Sequence, residues 1–470
     1  MSTKLDLSRL LQSTRDDAQT VAFDADYRLN WRDFRHAVQQ RYNFFEASKH
    51  HNWAIYFDSS AEFAATLIAL WHAEKCAYIV GDNLAATVTS ISDQVDAFVG
   101  DFTLTNKSHV NAADIKQLNT ASLLPVPIIQ DSEKLCAIIY TSGTTGSPVK
   151  VPLCLRQLSA ELDLLEALFA PVNTSFAVVS TASHQHFYGL LFRLLWPLAA
   201  GRPFAAYNCR YIEQLQSLAG EFKAISLVTT PSHLSRLPVT MDWQGIKTKI
   251  AAVFSSTAPL SLADSLASQN KFGLPIYEIF GSSETGGIAW RQQTLDVYWQ
   301  AFPGIEIESD PISQALKLRS QHSFKQDWQQ TADKIQLNDL GRFKLLGRLD
   351  RIAKIEGKRV SLSAMETSLE QHDCVEQAKA LVLERGKNTI NRTEVAVVAQ
   401  LNKAGLGFIE KNGKRALNQL LRQQLQLQFE LPVLPRRWRY LAQLPQNAQG
   451  KTSHQALVAL FDIEPGKELV

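Results

Sequence analysis

Cysteine is scarce in this chain of 470 residues. There are five, at positions 76, 136, 154, 209 and 374, and none forms a C-x-x-C pair. A chain of this size folds without cross-links, so these read as reduced, structural thiols. No closely spaced Cys/His pairs recur, which argues against a zinc site. An excess of one charge is also missing. Lys and Arg total 48 against 46 Asp and Glu, a formal net charge of +2. That balance gives no electrostatic case for nucleic acid or an anionic membrane as partner. Long apolar runs are absent, since no uncharged apolar run reaches the roughly 18–20 residues of a membrane span. The best candidate, residues 190–200, holds Arg193 and Pro197 and reads as a buried helix ending near the proline. The first residues carry charge throughout and lack the apolar core of a signal peptide, so a cytoplasmic location is expected. No repeat or low-complexity tract is visible. What remains is 45% hydrophobic and 20% charged, a globular composition.

Up to about residue 345, short β-branched runs alternate with amphipathic stretches. Residues 54–57, 137–140, 176–179, 225–228 and 250–254 read as strands, and 61–73 and 190–198 as helices. The alternation predicts an α/β architecture with mostly parallel sheets. A boundary is expected near the Gly341 to Gly347 segment. Beyond it, Ser363 to Glu366 has a capping-box pattern, 375–383 and 394–401 read as strands, and 414–429 as a Gln- and Leu-rich helix. The expected organisation is a large N-terminal α/β domain over 1–346 and a smaller C-terminal α+β domain over 347–470.

The sharpest local signal is the run from Tyr140 to Lys150, a buried strand entering a Gly/Ser/Thr loop. Gly143 and Gly146 let the backbone curl so that successive N–H groups face one anion. Hydroxyls at Thr141, Ser142, Thr144, Thr145 and Ser147 add donors for phosphate oxygens. Pro148 stands where a Walker A loop would need glycine, so this is a different phosphate cradle. A second signal is Phe280-Gly281-Ser282-Ser283-Glu284-Thr285-Gly286-Gly287. Glu284 could hold Mg²⁺ beside a triphosphate, and Phe280 offers a flat face to a purine. Taken alone, this is a turn-rich loop. Two charged segments follow: Gly347-Arg348-Leu349-Asp350 with 354–359, and a loop ending at Gly450-Lys451. Each by itself reads as solvated surface.

In this order and at these separations, the four segments resemble the adenylate-forming superfamily of acyl-CoA synthetases, peptide-synthetase adenylation domains and luciferases. The resemblance runs from about residue 60 to the end and gains from three further matches. His186-Phe187-Tyr188-Gly189 is similar to the family's H-x-x-G segment at the acid pocket. Ser256-Thr257-Ala258 resembles the loop lining the adenine. Trp328 with Thr331 to Asp333 resembles the segment ending in the ribose-binding aspartate. The resemblance implies ATP and Mg²⁺ as cofactors and a carboxylate activated to acyl-AMP. By the same resemblance Lys451 would bridge carboxylate and phosphate, while Glu284, with His186 beside the acid, would complete the catalytic set. Thr141, Ser142, Gly143, Thr144, Thr145, Gly146 and Lys150 would cradle phosphate. Ser256, Thr257, Ala258, Phe280, Gly281, Ser282 and Ser283 would line the nucleotide. Asp333 and Arg348 would hold the ribose, and Asp350 would be the hinge between a multi-subdomain N-terminal domain and a small, mobile C-terminal one. Val149 between Pro148 and Lys150 and Ala332 in place of a glycine depart from the family pattern.

The H-x-x-G region has no carboxylate to pair with an α-ammonium, so a fatty or aromatic acid is expected. The thiol acceptor is coenzyme A or the phosphopantetheine arm of an acyl carrier protein, for which Arg436, Arg437 and Arg439 would be a docking patch. Short segments are similar to ligases of aryl polyene and xanthomonadin-type pigment pathways. The competing readings are an adenylating enzyme with a non-thiol acceptor and a degenerate nucleotide-binding scaffold.

Overall fold

A computed structural model describes residues 4–103, 108–111, 114–115, 125–142, 148–170, 176–209, 211–323, 326–355, 358–384, 393–429, 431–446 and 452–462. The β-branched runs form strands, as their composition requires. In chain order these are β1 (Thr20–Asp24), β2 (Tyr27–Asn30), β3 (Asn52–Tyr56), β4 (Cys76–Ile79), β5 (Ala97–Gly100), β6 (His109–Val110), β7 (Leu135–Ser142) and β8 (Pro148–Cys154). Then come β9 (Ala177–Ser180), β10 (Phe204–Ala205), β11 (Ile225–Thr229), β12 (Ile250–Ser255), β13 (Tyr277–Ser282), β14 (Gly286–Arg291) and β15 (Gln300–Ala301). The described residues divide into two compact units: 4–142 with 148–306 and Arg319–Trp328, and Ile307–Leu318 with the residues from Gln329 on.

The first unit is built on two sheets. One has nine strands in the order β15-β14-β13-β12-β11-β9-β10-β1-β2, and the other six in the order β6-β5-β3-β4-β7-β8. Their central strands run parallel; antiparallel strands close both edges of the nine-stranded sheet and the β8 edge of the six-stranded one, while β6 at its other edge runs parallel to β5. Strands such as β9 and β11 are buried along their whole length, which is why they read as continuous apolar runs. The helix Ser60–His72 starts where Ser59 Oγ accepts from the Glu62 N–H, an S-x-x-E start signal. All five cysteines are free and buried. Burial pushes the thiols of Cys76, Cys136, Cys209 and Cys374 up, so they stay protonated and unreactive. No helix among the described residues is long and apolar enough to cross a membrane.

Two helical expectations need correction. The helix over 190–198 does not stop near Pro197. Leu190–Leu195 is wound as a π-helix, and Trp196–Ala200 continues as α-helix to a left-handed Gly201 cap. The wide turn pairs the Trp196 N–H with the Leu191 carbonyl and sets Pro197 at the start of the next turn, where its missing N–H costs little. The helix near Ser363 begins one residue earlier, at Leu362, with Ser361 Oγ accepting from the Ala364 N–H. Glu366 is drawn away from that helix end to pair with Arg351 and Lys379.

The second unit carries a four-stranded sheet of β16 (Ile305–Ser309), β17 (Ala315–Ser320), β18 (Gln329–Leu337) and β19 (Phe343–Arg348). A hairpin of β20 (Ile352–Ile355) and β21 (Lys358–Ser361) follows, then a sheet of β22 (Val375–Glu384), β23 (Thr393–Leu401) and β24 (Arg437–Leu441). The helices Leu362–Glu370 and Lys403–Gln426 bury Met365, Leu369, Leu417, Leu421 and Leu425 in one core with β22 and β23. The second helix is broken by Gly413 at φ 79°, so its C-terminal part starts at Lys414. The Gly341 to Gly347 segment lies in β19 and the turn before it, inside this unit.

Candidate active site

In an open parallel sheet, ligands bind outside the carboxyl ends of the strands where the strand order reverses. In the nine-stranded sheet that point lies between β9 and β11. The chain leaves β9 toward β10 on one side and β11 toward β12 on the other. Here Thr181 Oγ1 and Thr229 Oγ1 are 2.8 Å apart. The segment after β9 is pinned to the other sheet, because Phe57 O accepts from His184 Nε2 at 3.0 Å and from Gln185 Nε2 at 2.6 Å. Burial, and then the charge of Arg193, hold His184 well below its ordinary value, so its ring is neutral. His186 is half-buried and caps the turn Phe187–Gly189, its carbonyl accepting from the Leu190 N–H at 2.7 Å. A Cβ at Gly189 would lie 2.0 Å from Ser183 O, so only glycine fits the last position of H-x-x-G. Phe187, Leu190 and Leu191 are core residues.

The same edge presents the loops after β12 and β13. Ser256 Oγ donates to Ile279 O at 2.8 Å, tying the two strand ends together. Thr257 follows with φ 82°, a left-handed backbone that β-branched residues rarely adopt, and Ala258 is exposed. After Phe280, whose ring centroid is 5.6 Å from that of Trp299, the hairpin narrows. Gly281 pairs with Gly287 and Ser282 with Gly286, and a Cβ on Gly281 would lie 2.3 Å from Gly286 O. The turn is laced by its own side chains. Ser282 N–H donates to Thr285 Oγ1 at 3.2 Å, Thr285 N–H to Ser282 Oγ at 3.3 Å, and the two hydroxyls are 3.0 Å apart. Ser283 and Glu284 are left at the apex, with Glu284 exposed.

Beneath this turn lies a carboxyl that the sequence reading missed. Glu161, on the helix Leu155–Phe169, is 1% exposed. Its Oε1 and Oε2 accept from the Gly287 N–H at 3.2 and 3.4 Å. Burial pushes its carboxyl up to about 8. A signal was available: Glu161 interrupts an apolar stripe of Leu158, Leu162 and Leu165, where a carboxylate is rare. Thr181 and Thr229 carried no such mark.

The expected phosphate cradle belongs to the β7–β8 hairpin of the six-stranded sheet. Gly143, Thr144, Thr145 and Gly146 lie outside the described residues, and of Thr141 and Ser142 only the backbone in β7 is described. Ser142 pairs with Pro148 at the hairpin end, and Lys150, exposed, stands opposite Tyr140 two residues farther from it. In the second unit, Asp333 and Arg348 are partners across β18 and β19, with Nη1 and Oδ1 3.4 Å apart. Asp350 lies in the turn Leu349–Arg351 and its side chain is not described. Lys451 lies outside the described residues. The arginines of the expected docking patch are largely engaged. Arg437 pairs with Glu394 at 2.8 Å, and Arg439 donates to Leu460 O at 3.0 Å and covers the Phe461 ring. Arg436 is exposed.

The donor set at the turn suits one kind of ion. Among the described residues no group of three or more His, Cys, Asp or Glu could cage a metal. Glu284 gives one accessible carboxylate amid hydroxyls, which fits Mg²⁺, an ion that takes few protein oxygens and shares substrate phosphates.

Comparison with known proteins agrees with this architecture. Nonribosomal peptide synthetase 2 of Gibberella zeae is 20% identical over 71% of this chain, although the chain spans only 7% of that relative's length. A 4-coumarate–CoA ligase of Cereibacter sphaeroides is 24% identical over 66% of this chain and 68% of its own. ATP-bound MatB from Rhodopseudomonas palustris shares the fold, with a TM-score of 0.80 at 16% identity and coverage of 98% of this chain and 99% of MatB. A sequence profile described as AMP-binding enzyme matches residues 10–308. That match takes in more than half of the chain, which therefore belongs to the AMP-binding enzyme family.

Proposed function

We propose that this chain is an ATP-dependent acid–thiol ligase. A substrate carboxylate oxygen attacks the α-phosphorus of ATP, giving acyl-AMP and releasing pyrophosphate. A thiol then attacks the acyl carbon, the thioester forms, and AMP leaves with the electron pair of the broken C–O bond. The observation that carries this reading is the Glu284 turn at the same carboxyl edge as the β9–β11 switch point, in a chain of the AMP-binding family.

The residues divide the work by charge. Two anions must meet, and Lys451 is proposed to bridge them. Glu284 would hold Mg²⁺, which when bound neutralises charge on the triphosphate. The backbone from Thr141 to Gly146 would cradle the departing pyrophosphate. Phe280 and the 256–258 loop would flank the base, and the Asp333–Arg348 pair the ribose. Asp350 is proposed as the pivot between adenylation and thioester formation, with the domain boundary at 346/347. The 183–189 segment contains no carboxylate, and buried Arg193 lies directly behind it, donating to Ala182 O. The ammonium of an amino acid would find no counter-charge there, which favours a fatty or aromatic acid. Coenzyme A is the better-supported acceptor, because two of the three arginines expected to dock a carrier protein are occupied.

ATP–pyrophosphate exchange across fatty, benzoic and cinnamic acids tests the first step. The expected result is exchange with at least one of them, and exchange with none would overturn the proposal. Thioester formation with coenzyme A and with holo-carrier protein then identifies the acceptor.

A further inference from the structure

Glu161 has no part in the reaction as proposed, yet its placement is costly. It sits on the inner face of the helix Leu155–Phe169 among Leu158, Leu162 and Leu165, where an apolar residue would be the cheaper choice. Among the described residues its carboxyl has one hydrogen-bond partner, the Gly287 N–H, which both oxygens reach. The adjoining Gly286 has φ 74°, and a Cβ there would lie 1.9 Å from Glu161 Oε1. These two glycines close the turn that carries Glu284. The helix itself follows β8 without a linking loop, so its first turn is continuous with the β7–β8 hairpin.

We infer that Glu161 is a positioning residue, fixing the Glu284 turn to the helix that issues from the phosphate-loop hairpin. The inference rests on the proposed roles of that turn and that hairpin in binding Mg²⁺ and ATP. A rigid helix links the β8 strand to the Glu284 turn, and the Glu161–Gly287 bond makes that link. Burial keeps the carboxyl neutral, so the support adds no negative charge beneath a site built for a triphosphate.

Glu161→Met and Glu161→Gln test this, because both fill the same space and only glutamine keeps an acceptor for the Gly287 N–H. The primary readout is the calorimetric Kd of the full chain for Mg·ATP, with exchange kinetics beside it. Glu161→Met is expected to weaken Mg·ATP about tenfold, as loss of an outer support does at metal sites, and Glu161→Gln to stay within about twofold of wild type. The KM for the acid should move little in either. Equal Mg·ATP affinity in the methionine and wild-type chains, or equal losses in both variants, would overturn the inference. If wild type binds Mg·ATP but exchanges pyrophosphate with no acid, the ligase reading falls and the binding comparison still decides the role of Glu161. If wild type binds no Mg·ATP, both fall.

Discussion

Thr257 holds a conformation that its side chain opposes. A β-branched residue at φ 82° stores on the order of 1–2 kcal/mol of strain, and such strain collects where a loop must present its atoms to a ligand. Thr257→Gly removes the strain but adds freedom to the unfolded chain. The net expectation is a gain of up to about 1 kcal/mol, read as a higher urea midpoint. An unchanged or lower midpoint would show that the side chain makes compensating contacts. Glu161 sets a pH dependence of known sign. Its folded carboxyl keeps the proton up to about 8, against an ordinary value of 4.5. The stability it contributes is therefore fully present below the ordinary value and is lost as pH rises through about 8. Glu161→Gln has nothing to ionise, so its stability advantage over wild type should grow between about pH 5 and about pH 8 and then level off. Urea titrations at three pH values check this, and a constant difference would mean the carboxyl is ionised throughout. At this scale the sequence was partly legible. Gly281 and Gly286 flank a short turn because no Cβ fits, and that was readable as a glycine-rich loop. The carboxyl beneath the turn depends on a contact between residues more than a hundred positions apart.

Among the elements, the parallel strands were the easiest to read, because strands buried on both faces must be apolar throughout. The π-helix Leu190–Leu195 was not legible, and Arg193 explains why. Its guanidinium is fully buried and donates to Ala182 O, to Asn208 Oδ1 and to Ser60 Oγ. Those partners come from three other segments, so nothing within the helix sequence announces the wide turn that lets the side chain reach them. Arg193→Ala would strand the Ser60, Asn208 and Ala182 acceptors and leave a cavity. A loss of about 3 kcal/mol is expected, measured by chemical denaturation. A loss below about 1 kcal/mol would mean that the guanidinium contributes little to holding these segments. The helix at Leu362 shows the opposite limit. The sequence pattern marks Ser363 as the cap, and the structure uses Ser361, whose Oγ accepts from the Ala364 N–H.

For the whole molecule, the residues proposed to act on one nucleotide are spread from position 141 to position 451. The order of motifs carried the family, and the sheets show how part of that spread is gathered: four adjacent parallel strands deliver His186, Thr229, Thr257 and Glu284 to one carboxyl edge. The sequence boundary near 346 and the division of the folded chain differ because β16 to β19 are packed with the later residues, a grouping that chain order alone does not reveal. If Lys451 serves adenylation alone, Lys451→Ala should abolish pyrophosphate exchange while thioester formation from supplied acyl-AMP is largely retained. Normal exchange by this variant would remove the lysine from the mechanism. The burial of all five native thiols makes one further experiment simple. Maleimide reagents attack accessible thiolates, so the native chain offers them no ready target. New cysteines at exposed Ser217 and Lys411, one in each compact unit, can then take a fluorophore pair with the native cysteines left in place. Energy transfer between the dyes would follow the two units through successive additions of ATP, acid and thiol.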